Sequence, residues 1–256
     1  MKLYFAKKNL PIIIFVSILL TSCLKMALTS AHILDKNISI KYITNGSKIV
    51  AFIPMHHIGI KEFYDDAKIN IDSFSKNGFT IFYEGVKFGL VKDSLQKDTV
   101  IKKMRKIVGL DLIALSKTNG YLDNENDKLL GYKINGLSKY NLVNQPKGII
   151  DRFDTLKFKL IDATYVQLVS ECEKKFGAIK LDEYDLKTKS GEKYKSKTNK
   201  EMKQYFLAEF RNKLITDSIL NEKNNKIVIL YGAKHFDGIL ENLKASDNNF
   251  KNVEKP

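Results

Sequence analysis

"KIVAFIPMHHIGIKEFYDDAKINIDSFSKNGFTIFYEG", residues 48–85, decides how the chain is read. It opens on a nearly continuous apolar run, as a strand buried on both faces requires. Phe63, Ala67, Ile71 and Phe74 then recur at helical spacing, and Gly78 stands where a helix would end. "FTIFYEG" is a second apolar strand with Glu84 near its carboxyl end. Strand, helix and strand form a βαβ unit, expected to be parallel and right-handed. The unit predicts an α/β fold: a mixed, largely parallel central β-sheet flanked by helices.

Upstream, "NISIKYI" and the apolar run flank Thr44-Asn45-Gly46-Ser47. Asn-Gly between two apolar runs is a hairpin signal. The first residues read differently. "MKLYFAKKN" is a positive leader, "LPIIIFVSILL" is an apolar stretch too short to span a bilayer, and "LTSC" puts small residues before Cys23. "LTSC" resembles the bacterial lipobox. Residues 1–22 are therefore expected to be a lipoprotein signal peptide, Cys23 the lipidated residue, and 23–36 a tether. Such a chain sits in the cell envelope, outside the cytoplasm, with a membrane as partner through its acyl chains.

Lipidation of Cys23 would leave Cys172 without an intrachain partner, and its amphipathic surroundings predict a semi-buried free thiol. The formal net charge of +14 loses three when Lys2, Lys7 and Lys8 leave with the leader. No nucleic-acid-binding motif accompanies the lysines, so no nucleic-acid partner is expected. The densest basic patch, "LKTKSGEKYKSKTNK" at 186–200, lacks apolar periodicity and predicts an exposed, mobile loop.

The rest supplies helices and one more strand. "DSLQKDTVIKKMRKIVGL" from Asp93 predicts a helix with that residue as N-cap, and "FDTLKFKLIDATYVQLVSECEKKFG" predicts one or two more. These lie in a helical insertion, about 92–200, within a domain spanning 37–250. "EMKQYFLAEFRNKLITDSILNEK" is a long amphipathic helix, "KIVILYG" a buried strand, and "FDGILENLK" a closing helix with Asp237 as its cap.

Three apolar strands thus end in chemistry: His57, Glu84 and His235. In open α/β sheets ligands bind at the carboxyl ends of the strands. Two imidazoles and a carboxylate suit a metal ion such as zinc, manganese or iron. They equally form a base, acid and orienter set without metal, in which Glu84 accepts a proton.

Gly232-Ala233-Lys234-His235, the acidic Glu84 after a strand, and Arg211-Asn212 on the preceding helix resemble the TraB/GumN family, which includes the TIKI-type membrane metalloproteases. The likeness covers most of 48–90 and 205–242. The family is related to erythromycin esterases and haem-binding ChaN-like lipoproteins. The resemblance implies a mixed sheet between helices with a helical insertion. It also implies metal-dependent hydrolysis of a peptide or small-molecule substrate, with His57, Glu84 and His235 as metal ligands and Arg211 holding a carboxylate or oxyanion. The first family motif has glycine where this chain has Pro54, which opens a route to an inactive scaffold. Counting from Pro54 favours His57 over His56 as the inward residue, since neighbours on a β-like backbone face opposite ways. A non-catalytic haem-type binding lipoprotein is the rival reading.

Metabolic labelling tests the leader. Radiolabelled palmitate is expected in the wild-type chain and absent from Cys23→Ala; equal label in both rejects lipidation at this cysteine.

Overall fold

The computed structural model describes residues 24–117, 121–146, 148–149, 157–192, 194–195 and 198–255. Residues 1–22, expected to be a signal peptide, and Cys23, the expected lipidation site, lie outside them. In chain order come helix α1 (24–30), strands β1 (Lys41–Thr44), β2 (Ile49–Met55) and β3 (Ile58–Gly59), helix α2 (Lys61–Lys76) and strand β4 (Thr80–Tyr83). Then follow α3 (Ser94–Val108), α4 (Leu112–Lys117), β5 (Leu122–Asp123), β6 (Lys128–Leu129), β7 (Tyr132–Lys133), β8 (Val143–Asn144) and β9 (Phe158–Leu160). The chain continues through α5 (Tyr165–Phe176), α6 (Glu183–Lys187), α7 (Lys200–Gln204), α8 (Phe210–Asn221), β10 (Lys226–Gly232), α9 (Phe236–Ser246) and β11 (Lys251–Val253).

Six strands form the main sheet in the order β11-β1-β2-β10-β4-β9. β2, β10, β4 and β9 are parallel, and β1 is antiparallel to both of its neighbours. The sheet is mixed and mostly parallel with helices on both faces, as the apolar runs predict. The 48–85 unit is parallel too, but β2 and β4 are not neighbours: β10 lies between them, paired to each. Side-chain pattern specifies strand direction and burial in this unit, and carries no signal for a partner arriving from residue 226 onward.

Alternation divides the core cleanly. Val50, Phe52, Ile227, Ile229 and Tyr231 face one way and pack with Ile215, Ile219 of α8 and Phe236, Ile239, Leu243 of α9. Ala51, Ile53, Val228 and Leu230 face the other way, against Phe63, Tyr64, Ala67 and Ile71 of α2. Pro54 sits in the regular ladder opposite Tyr231. β1 reaches only to Phe52, so on that side of β2 no ladder remains for a proline to interrupt.

Residues 92–200 differ from a purely helical insertion. They hold α3 and α5, which pack through Val100, Met104, Ile107, Leu168 and Cys172, but also a three-stranded meander and β9, a member of the main sheet. β9 is three residues long and carries a lysine at its centre, so it offers too little alternation to be told from a helix start. Asp93 caps α3 as expected, accepting from Gln96 N–H, and Gly109 ends that helix at φ 84°. The tether is structured as well. Leu28 of α1 is buried with Ile58, Leu122, Leu137 and Leu142, which ties 24–30 to the site end of the sheet. The basic stretch is likewise pinned: Tyr194 is buried and its hydroxyl donates to Asp185.

Phe52 is fully buried and meets the Phe236 ring edge-on at 5.3 Å. Phe52→Ala should cost about 3–5 kcal/mol of unfolding free energy. Loss of the α3 cap in Asp93→Ala should cost about 1 kcal/mol. Urea unfolding measures both, and a smaller loss for Phe52→Ala than for Asp93→Ala would contradict this account of the core.

Candidate functional site

The carboxyl ends of β2, β10 and β4 converge, and a cavity of about 260 Å³ opens there. His57, Glu84 and Arg211 line it, with Tyr121, Tyr165 and Gln145 as further polar groups. Met55, Leu230, Val86, Leu168 and Phe206 supply the apolar lining. Of the adjacent histidines, His57 faces this cavity. Its ring stacks on Tyr121 at 4.4 Å and 12°, and its carbonyl accepts from Gln145 N–H at 2.8 Å. His56 lies against Phe63 instead, 5.2 Å between ring centroids.

Arg211 is the centre of the polar network. Its Nε and one Nη donate to Asp162 at 2.8 and 2.7 Å, and that same Nη donates to Glu84 at 2.6 Å. The other Nη reaches the Leu207 carbonyl at 3.3 Å. Leu207 belongs to a π-helical turn, Tyr205–Glu209, that interrupts the expected long helix between α7 and α8. Such turns widen the helix, and they recur at functional sites. Burial works against the guanidinium, but Asp162 and Glu84 outweigh it and raise its pKa, so the charge is permanent.

Glu84 is equally committed. One carboxylate oxygen takes Arg211, and the other accepts the Gly232 N–H at 2.6 Å. Burial alone would raise the Glu84 carboxyl; Arg211, His235 and the Gly232 amide together hold it below its ordinary value. Glycine at 232 is needed for closeness rather than for an unusual φ. A Cβ there would lie 3.3 Å from the Glu84 carboxylate and 3.5 Å from the His235 ring.

His235 lies behind this wall, 6% exposed, its ring edge against Tyr231 at 4.9 Å. Its Nδ1 sits 2.6 Å from the Asn212 side-chain oxygen. An amide oxygen only accepts, so Nδ1 carries the proton and Nε2 keeps its lone pair. Burial lowers its pKa to about 4, with Arg211 adding to the effect. Asn212 is seated by Gly238, where a Cβ would fall 2.2 Å from the amide nitrogen. His235 itself occupies the position before α9, and Asp237 lies exposed in the first turn. There the carboxylate favours the helix dipole without capping it.

Two residues escape the sequence reading. Asp162 follows β9 with its side chain fully buried and is the main partner of Arg211; "LIDAT" read as helix hides it as a surface acid. Tyr121 belongs to a loop-rich stretch with no periodicity to mark it. Arg211 also differs from its expected role, since it already holds two carboxylates and has little left for a third.

As arranged, both Glu84 oxygens are taken, by Arg211 and by the Gly232 N–H, while the His235 Nδ1 bond to Asn212 leaves Nε2 with its lone pair. Among the described residues no group of three or more His, Cys, Asp or Glu side chains is placed to hold a metal. Nor is any described helix long and apolar enough to cross a membrane. Comparison with protein-family models, curated proteins and solved structures gives no match.

The buried neutral imidazole makes stability pH-dependent. The folded pKa of His235, about 4, lies below the unfolded value near 6.5, so its contribution is intact above pH 6.5 and is lost as pH falls toward 4. The loss is at most about 3 kcal/mol. The wild type minus His235→Asn difference in urea stability should shrink over that window; a flat difference would show that His235 is not held neutral.

Proposed function

We propose that the chain is a lipid-anchored envelope hydrolase of TraB/GumN type that uses acid–base chemistry on a small neutral acyl substrate. The observation that carries this reading is the shared wall: the exposed His57 imidazole and the Glu84–Arg211 pair line one cavity at the carboxyl edge of a parallel sheet. That edge is where open α/β sheets place their ligands.

In this reading His57 is the general base. It takes a proton from a water that attacks the ester or amide carbonyl, and returns it to the leaving group. Arg211 spends all but one of its N–H groups on Asp162, Glu84 and Leu207, and the remaining Nη N–H would donate to the oxyanion as it forms. Glu84 and Asp162 act as positioning residues for Arg211 rather than as acids. The low pKa of Glu84 keeps it an acceptor, so it cannot donate a proton near neutral pH. Tyr165, with its phenol pushed up to about 12 by burial, first of all, and then by Tyr121, remains a hydrogen-bond donor in the same cavity.

Charge and size narrow the substrate. Two carboxylates surround one guanidinium, and His235 is neutral, so the polar end repels an anionic substrate group. A volume of about 260 Å³ falls below the roughly 300–1,000 Å³ of sites that bury drug-sized ligands. A short peptide side chain or small acyl group fits; a haem, larger than most such ligands, does not.

Hydrolysis of a panel of neutral and anionic p-nitrophenyl esters and of a mixed peptide library, each with and without EDTA, tests the proposal. Neutral substrates should turn over in EDTA, and His57→Ala should lower kcat by about 10²–10⁴-fold with an unfolding midpoint near wild type. Activity abolished by EDTA and restored by manganese, cobalt or zinc would return the mechanism to metal-assisted hydrolysis. No turnover of any substrate by the folded protein would sink the hydrolase reading.

A further inference from the structure

Arg105, on α3 and remote in sequence from every residue discussed at the cavity, is buried to 2% exposure. Its two Nη groups donate to backbone carbonyls, Lys189 at 3.1 Å and Asp185 at 2.8 Å, and its face lies 4.8 Å from the Tyr194 ring. Its Nε is buried with no hydrogen-bond partner. Among the described residues no carboxylate lies within ion-pair distance of it.

The nearby acids are otherwise engaged. Asp185, 1% exposed, accepts from Lys106, Tyr194 and the Asp182 N–H. Asp182 is itself 3.7 Å from Lys106. Asp111 accepts from Ser190 Oγ at 2.6 Å and from the Ala114 N–H at 2.9 Å. A guanidinium carries five donors, and a buried one is ordinarily matched by a carboxylate or phosphate. Arg105 has only neutral dipoles and a ring face.

A cavity of about 250 Å³ opens at this place, lined by Arg105 and by Lys102, Lys187 and Lys189, with Ser190 and Thr188 as hydroxyl-bearing neighbours. Asp98 and Asp111 are the acids of its lining, so cations outnumber anions there by four to two. Lys102 is bridged to Asp98 at 2.7 Å, and Lys187 is paired with Glu183 one turn away. Lys189 is exposed and has no ion-pair partner among the described residues. The unmet charge and the empty volume thus coincide.

We infer that this cavity is a binding site for a tetrahedral oxyanion, a phosphate group above all, seated on the Arg105 guanidinium and closed by Lys189 and Ser190. A phosphate supplies the acceptors that the planar guanidinium lacks, in charge-assisted hydrogen bonds. The anion would add a clamp between α3 and the 185–190 segment, which Arg105 joins through carbonyls and Lys106 through Asp185. The phosphate group is either free in solution or part of a lipid headgroup. The site is separate from the His57 cavity, and its test reads no turnover.

Calorimetric titration of the detergent-solubilised full chain with inorganic phosphate at constant ionic strength is the first arm. One site per chain is expected, weakened at least tenfold in Lys189→Glu and lost in Arg105→Gln. Lys189 is exposed, so that variant keeps the test open if Arg105→Gln fails to fold. The second arm is flotation of the chain from residue 24, which carries no acyl anchor, with phosphatidylcholine vesicles with and without phosphatidic acid. Capture that needs phosphatidic acid and is lost in Lys189→Glu, without binding of inorganic phosphate, assigns the site to a lipid headgroup. Binding of neither probe by the wild type overturns the inference, as does binding that the variants leave unchanged.

Discussion

The whole carboxyl edge of the sheet depends on one buried charge, that of Arg211. A guanidinium withdrawn from water is costly unless its donors are met, and here two carboxylates from different strands meet them. Asp162 comes from the end of β9, Glu84 from the end of β4, and through its second oxygen Glu84 also holds the last amide of β10. One side chain from α8 therefore fastens three strand ends and fixes the depth of the cavity between them. Removing either acid would leave donors at this edge without their acceptor, Arg211 Nε in the case of Asp162 and the Gly232 N–H in the case of Glu84.

Much of this is written locally in the chain. The apolar runs 49–55 and 226–232 are strands because they are continuous, β-rich and long enough to be buried on both faces. Helix α2, with its apolar period, and α3, with Asp93 as its start signal, stand where their patterns put them. His57 and Glu84 were legible as site residues because they terminate such strands. What could not be read is pairing across distance. Nothing in residues 48–85 announces that β10 will come between β2 and β4, since a parallel strand leaves the same pattern whichever neighbour it takes. Asp162 was hidden for a related reason: β9 is so short that its terminal acid looks like any solvated carboxylate.

The spacing that suggested a metal set is a statement about strand ends, not about where lone pairs point. His57, Glu84 and His235 do gather at one edge, yet each has been given a different task. Glu84 is tied to a cation and an amide at the cavity wall, His235 to Asn212, and His57 meets the cavity stacked on Tyr121. The glycines of the motif serve the same division of labour. At Gly238 the backbone passes too near Asn212 to carry a side chain, and at Gly232 a Cβ would crowd the Glu84 carboxylate. These requirements are three-dimensional, and a linear pattern records them only as a recurrent small residue.

The insertion of β10 between earlier strands has a consequence for biogenesis. A chain that emerges amino end first presents β2 and β4 long before residue 226 exists, each with an unpaired long edge of apolar residues. Until β10 threads the gap, neither half of the sheet has its central partner, and such distant pairing is slow. Unpaired edges of this kind invite wrong strands to add. The molecule therefore has a vulnerable interval between synthesis and closure. An amino-terminal fragment stopping short of Lys226 would possess most of the chemistry of the site and none of the strand that assembles it.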